Sequence, residues 1–257
     1  SLFVPFRCVA SDIAKKESVI FKEGHLNEAV RASMTYPFYY KSIMIDSVLL
    51  FDGGLYNNFP ADIMYNDFSP AFIIGSNVSY NANLPDEDNI ISQLTNMLVS
   101  YSNFELPCED GFIIEPRVSI STFNFSDAKT AIDEGYNSTM AIIDSLKQHI
   151  QGRTTKSELT KKRRQFRNKI IPLSITSVTS KTKNRKLHYS TRAIMKGKKP
   201  EALNERELEK RYFRLNSSSQ IDFVFPTLDL NTDSTYNLDV TISKAKEIRI
   251  DVGGHFS

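Results

Sequence analysis

Ser47-Val48-Leu49-Leu50-Phe51-Asp52-Gly53-Gly54-Leu55-Tyr56-Asn57-Asn58-Phe59-Pro60 is the stretch on which the reading of this chain turns. An apolar run leads straight into a carboxylate, two glycines follow, and a polar turn closes on a proline. A carboxylate at the end of a strand is where α/β enzymes place acid/base groups. Glycines let the backbone and a substrate come close to it. Asp-Gly is also the commonest signal for a tight hairpin turn. The tripeptide alone therefore leaves a plain turn and a catalytic carboxylate both open.

Working outward, residues 3–9 and 17–22 are expected to form neighbouring strands. The Glu23-Gly24-His25 turn leads into a short helix from Leu26 to Met34, which Pro37 stops. Residues 43–51 read as one strand or a tight hairpin ending at Asp52. Residues 71–78 form a continuous apolar run, as expected of a strand buried on both faces. Residues 86–102 read as an amphipathic helix with Ile90, Leu94, Met97 and Tyr101 in one stripe. Residues 112–116 form another short strand. Ser126 and Asp127 cap a helix running to Ile150, with Ile132, Tyr136, Met140, Ile143 and Leu146 as its stripe. Alternating strands and helices predict an α/β fold with a mostly parallel sheet and flanking helices.

Three segments in order carry a family resemblance: Val4-Pro5-Phe6-Arg7-Cys8-Val9-Ala10-Ser11-Asp12, the Arg31-Ala32-Ser33 to Pro37 stretch followed by Asp52-Gly53-Gly54, and Ala131-Ile132-Asp133-Glu134-Gly135-Tyr136. Residues 3–150 resemble the C-terminal part of the patatin-like phospholipase domain. The resemblance implies a serine lipid acyl hydrolase. In that family a G-x-S-x-G serine attacks a lipid ester, and the Asp of D-G-[GA] is its base in a Ser-Asp dyad without histidine. On this chain Asp52 falls on the catalytic position, and Gly53 and Gly54 complete the motif. The logic is physical: a serine hydroxyl is a weak nucleophile until a positioned base takes its proton. Burial raises a carboxylate's pKa toward the working range. Neither G-x-S-x-G nor the glycine-rich oxyanion loop occurs in these residues, so the expectation is a fragment that is catalytically incomplete by itself. Asp12 is expected to brace the loop after its strand. Ser33 and Ser76 sit in no nucleophile elbow and read as helix and strand-end residues.

The chain has 257 residues, 40% of them hydrophobic, enough for one large domain or two smaller ones. Residues 1–151 carry 9 Lys+Arg against 19 Asp+Glu, a net of −10, and residues 152–257 carry 23 against 11, a net of +12. This reversal predicts a boundary near Gly152. The expected divisions are 1–151, a basic linker at 152–169, a second domain at 170–247, and a final segment at 248–257. Eight basic residues and one acidic residue lie between Arg153 and Lys169. With Phe166 the lone aromatic among them, a solvated helix or linker is expected rather than a nucleic-acid surface. Contact with an anionic membrane surface is the second reading. Cys8 and Cys108 read as buried thiols, with a disulfide left open. His25, His149, His188 and His255 are scattered singly. No Cys/His cluster has zinc-ligand spacing, and neither metal nor cofactor is expected. No apolar run reaches the roughly 18 residues of a membrane-spanning helix. Ser1–Pro5 reads as the interior of a strand rather than a leader, so the chain is expected to open inside a domain.

Beyond the linker, residues 172–178 alternate as a strand. A helical piece lies at 186–195, and a second helix at 204–215 turns Leu208, Tyr212 and Leu215 inward. Strands at 221–228 and 236–242 flank a turn at 231–234. This β-α-α-β-β order predicts a small α+β domain and resembles a POTRA domain. The Gly253-Gly254-His255-Phe256-Ser257 close resembles the first strand of an outer-membrane β-barrel. Together these imply a patatin–POTRA–barrel protein of the bacterial cell envelope, periplasmic or surface-exposed. Residues 173–178 or 221–228 would then receive an incoming partner strand. The competing expectation is a catalytically inactive patatin-fold scaffold serving periplasmic protein interaction or secretion.

Overall fold

A computed structural model describes residues 2–81, 84–120, 124–150, 152, 154–197 and 203–245. The chain divides into two compact units, Ser1–Lys156 and Ser157–Ser257, each a mixture of strands and helices.

In the first unit β1 (Cys8–Asp12) runs between β2 (Glu17–Phe21) and β4 (Val48–Asp52), and β3 (Ile43–Ile45) flanks β4, giving the order β2-β1-β4-β3. Every pairing in this sheet is antiparallel. The expected mostly parallel sheet is therefore corrected: among the described residues the one parallel pair of this unit joins β5 (Ile73–Ser76) to β6 (Gly111–Ile114). Connection length explains it. Four residues link β1 to β2 and two link β3 to β4, whereas a parallel crossover needs about a dozen. The β3–β4 link is Asp46-Ser47, both at positive φ, the conformation of a two-residue hairpin turn that follows the strand twist. The strand expected at 3–9 begins at Cys8, and residues 3–7 lie outside any strand.

The helix α1 (Leu26–Ser33) packs on β1 through Ala29 and Ala32, both buried. Small side chains permit close approach, and Cys8 Sγ donates to the Ala29 carbonyl at 3.3 Å. Gly24 enters the preceding turn at φ +101, a conformation natural to glycine. The helix α2 (Ala61–Phe68) follows Pro60. Both cysteines are free, Cys8 buried and Cys108 half-buried.

Several boundaries move. The helix expected over 86–102 is α3 (Ile90–Leu98), capped by Asn89. The helix expected to Ile150 is broken into α4 (Ala128–Ala141) and α5 (Ile143–His149). Asp127 stands at the N-cap of α4 without a side-chain capping bond; Asn124 instead caps the single turn before it. Of the long stripe, Leu146 is buried at 4% exposure while Ile132 is 69% exposed and Tyr136 64%. The α3 stripe is exposed too, Met97 at 78%. On β5, Ile73 is buried and Ile74 exposed, so that strand is covered on one face rather than two. Amphipathic spacing names the face that wants cover, not the element that provides it.

The second unit holds all but the first residue of α6 (Lys156–Arg167), β7 (Ile175–Lys181), α7 (Arg185–Lys196), α8 (Glu205–Asn216), β8 (Ile221–Leu230) and β9 (Tyr236–Lys244). The basic stretch is thus largely helical. Asn184 and Asn204 cap α7 and α8 by accepting the N–H groups of Leu187 and Glu207. The sheet order is β7-β9-β8, with β7 parallel and β8 antiparallel to β9. Ile175, Val178, Leu187, Met195, Leu215, Val224, Leu238, Val240 and Ile242 form the core, with Leu208 and Tyr212 packed against it. Residues 248–257, expected to begin a barrel, lie outside the described residues.

Candidate functional site

Asp52 ends β4, and its position is fixed from three sides. Ala10 of β1 pairs with it across the sheet. Its backbone N–H donates to the carbonyl of Thr35 at 2.9 Å, and Thr35 is itself buried and donates its hydroxyl to the Arg31 carbonyl at 2.7 Å. The Arg31–Pro37 stretch and the Asp-Gly-Gly turn, separate in sequence, are therefore bonded to each other. Gly53–Leu55 then makes one turn of 3-10 helix, so this Asp-Gly is not a hairpin turn.

The glycines answer to crowding. A Cβ on Gly53 would lie 2.2 Å from the Val9 carbonyl oxygen of β1, and one on Gly54 would lie 2.7 Å from Asn58 Oδ1. At Gly53 only hydrogen fits, whereas at Gly54 a side chain would require Asn58 to move. Asp52 Oδ1 accepts the Gly54 N–H at 2.8 Å. Burial pushes the Asp52 carboxyl above its ordinary value, and the Gly54 bond pulls it part of the way back.

Asp52 lines a cleft of about 550 Å³ together with Phe6, Arg7, Asn58, Ile63, Met64 and Phe68. Arg7 is engaged elsewhere. Its guanidinium pairs with Asp67, which also takes Lys22, and lies over the Phe68 ring at 4.7 Å. These two cations hold the Asp67 carboxyl below its ordinary value. An apolar cleft with one basic-tuned carboxylate can accept a proton from a hydroxyl placed beside it and can seat an apolar ester.

Asp12 accepts the backbone N–H groups of Ala14 and Lys15 at 2.9 and 3.2 Å, bracing the loop after β1. Ser33, at the end of α1, lines the Asp52 cleft, whereas Ser76 ends β5 on an exposed face. His25 precedes α1, and His149 stacks on Phe72 at 4.9 Å. Sequence reasoning missed Arg7, Asn58 and Met64 as neighbours of Asp52. The one local signal was the polar Asn57-Asn58 pair just after the glycines.

Residues 8–65 match the patatin-like phospholipase family. A patatin-like phospholipase domain-containing protein of Caenorhabditis elegans is 37% identical over 67 residues, 25% of this chain and 5% of that protein. Uncharacterized NTE family proteins of Mycobacterium bovis and Mycobacterium tuberculosis are 37% identical over 62 residues, 24% of this chain and 11% of theirs. Residues 8–65 hold β1 through most of α2 and include Asp52. The chain thus covers a small part of each of these relatives. Among the described residues no helix is long and apolar enough to cross a membrane.

Proposed function

We propose that the first unit is the base-bearing part of a patatin-like serine acyl hydrolase acting on phospholipids or related lipid esters. The observation that carries this reading is Asp52 itself, a carboxylate with raised affinity for protons, at a strand end, lining a largely apolar cleft and followed by Gly53, where any side chain would meet the Val9 carbonyl. No G-x-S-x-G occurs in the sequence, so the nucleophilic serine belongs to another stretch of polypeptide. In the reaction Asp52 takes the serine proton as the serine oxygen bonds to the ester carbonyl carbon. The proton then passes to the departing alcohol. Water, deprotonated by the same carboxylate, breaks the acyl–serine bond and restores both groups. The test is release of fatty acid from phospholipid by the complete protein that supplies the serine. Asp52→Asn is expected to lower the rate by at least about 10²-fold, and an unchanged rate removes the assignment.

A second reading concerns the rest of the chain. The β-α-α-β-β order, with β7 and β8 both at sheet edges, supports a POTRA-like module that tethers the hydrolase to an outer-membrane barrel in a bacterial cell envelope and offers an edge to a partner strand. The helix α6, with six basic residues and one acidic residue, supports contact with an anionic membrane surface. If the companion polypeptide lacks a G-x-S-x-G serine, the fold is a scaffold rather than an enzyme. Recovery of the native protein in the outer-membrane fraction is expected; recovery in another fraction removes the tether.

A further inference from the structure

The loop between α1 and β3 is rooted at the Asp52 cleft and leaves its large side chains exposed. Ser33, the residue before it, lines the cleft. The Thr35 carbonyl holds the Asp52 backbone N–H at 2.9 Å, and Pro37 is buried. Around these anchors Met34, Tyr36, Phe38, Tyr39 and Tyr40 are all exposed, Phe38 at 79%. Five of the seven residues from 34 to 40 thus show a large apolar or aromatic side chain to solvent. The loop is not slack. The Tyr39 and Tyr40 N–H groups both donate to the Tyr36 carbonyl, at 3.3 and 3.1 Å, and the Tyr36 and Tyr39 rings meet edge to face at 5.6 Å. Phe38 is held at φ +69, a left-handed conformation that is costly for a bulky residue. Such strain persists only where the surroundings enforce it, and it collects at functional sites. The most exposed aromatic of the loop is therefore held out by the fold rather than left over from it.

We propose that residues 34–40 are an interfacial anchor that seats the first unit on the surface of a zwitterionic lipid bilayer, next to the cleft that would take a lipid ester. The lipid nature of the partner rests on the hydrolase reading of Asp52; the exposure and the strain of the loop do not. Met34 and Phe38 are wholly apolar and can enter the boundary between headgroups and acyl chains. Tyr36, Tyr39 and Tyr40 each carry an apolar ring with a polar tip, the chemistry that settles where membrane meets water. Arg31 and Lys41 flank the loop with cations. The attraction is apolar rather than electrostatic, because residues 1–151 carry a net of −10, which an anionic surface repels. Contact through the basic helix α6 calls instead for an anionic surface, so lipid charge separates the two contacts. A second copy of the chain is the other occupant that such a patch can take, and it is an outcome of the test.

The 257-residue chain contains no tryptophan, so Phe38→Trp places a sole indole reporter in the loop. With phosphatidylcholine vesicles its emission is expected to move to shorter wavelength, equally in low and high salt. Phe125→Trp, at a position 77% exposed elsewhere in the first unit, is expected to keep its emission. In flotation with the same vesicles, Phe38→Asn combined with Tyr40→Ser is expected to lower the partition coefficient by about tenfold. Asparagine is at ease in the left-handed region, so Phe38→Asn removes the ring without adding strain. The two tryptophan reporters decide the matter even if the double variant does not fold. An unmoved emission in Phe38→Trp overturns the proposal, and so does an equal shift in Phe125→Trp. A shift that needs anionic vesicles and fades with salt assigns the contact to charge and overturns it too. A chain that sediments as a dimer, dissociates on Phe38→Asn and ignores vesicles gives the loop to a second copy instead. The readout is partition, not turnover, so the two readings fail separately. A vesicle-bound loop alongside an Asp52→Asn protein that still hydrolyses lipid keeps the anchor and removes the base. An unmoved emission alongside an inactive Asp52→Asn protein does the reverse.

Discussion

Asp52 brings a charge into a half-buried place, and its replacement registers in stability as well as activity. Because its folded pKa lies above the unfolded value, the group favours the native state below the ordinary carboxylate range and loses that contribution as pH rises through the folded value. Asn keeps the oxygen that accepts the Gly54 N–H and drops the charge. Asp52→Asn is therefore expected to melt about 2 °C above the parent at neutral pH, with the gap closing as the pH falls toward about 4. Thermal melts across that range check this, and a gap that does not change with pH sinks it. Asp52, Gly53 and Gly54 were legible in the sequence because a strand tip, a charge and two glycines are local signals. Arg7 and Asn58 were not legible as its neighbours. Arg7 reaches the cleft from a segment far off in the chain, and Asn58 is held by Ser79 and Ser102, which no spacing rule connects to it.

At the level of strands and helices, local chemistry was read well and pairing poorly. The Asn204 start of α8, the β3–β4 hairpin and the α1 boundaries follow from a few adjacent residues. The direction of the first sheet does not: apolar strands next to helices suggested parallel crossovers, and the four- and two-residue links required antiparallel neighbours. The exposed stripes of α3 and α4 make a contrast that can be measured. Leu146→Ala removes a buried side chain and is expected to cost about 2–5 kcal/mol. Ile132→Asp, at a site the same stripe predicted to be inward, is expected to cost less than about 1 kcal/mol in this chain. Denaturant melts of both variants test this. A large loss in Ile132→Asp would mean that α4 buries that face within these residues.

Over the whole molecule, charge and packing divide at nearly the same place. The net of −10 before Gly152 and +12 after it speaks to solubility and to which surfaces each part attracts, not to fold. The core of the second unit is drawn entirely from residues 173–242. Residues 157–257 made alone are therefore expected to fold and to melt in one cooperative step; a spectrum without amide dispersion would refute this. The charge reversal near Gly152 was visible because charge composition is a sum over many residues. The sheet order was not, because β7 finds its parallel partner some 60 residues on. That order has a further consequence during synthesis. Among the described residues β9, the strand flanked on both sides, is the last strand of its unit to leave the ribosome, so the nascent β7, α7, α8 and β8 have no centre on which to assemble until translation has passed Lys244, and a message cut short before that codon yields a chain with two orphan edges and nothing between them.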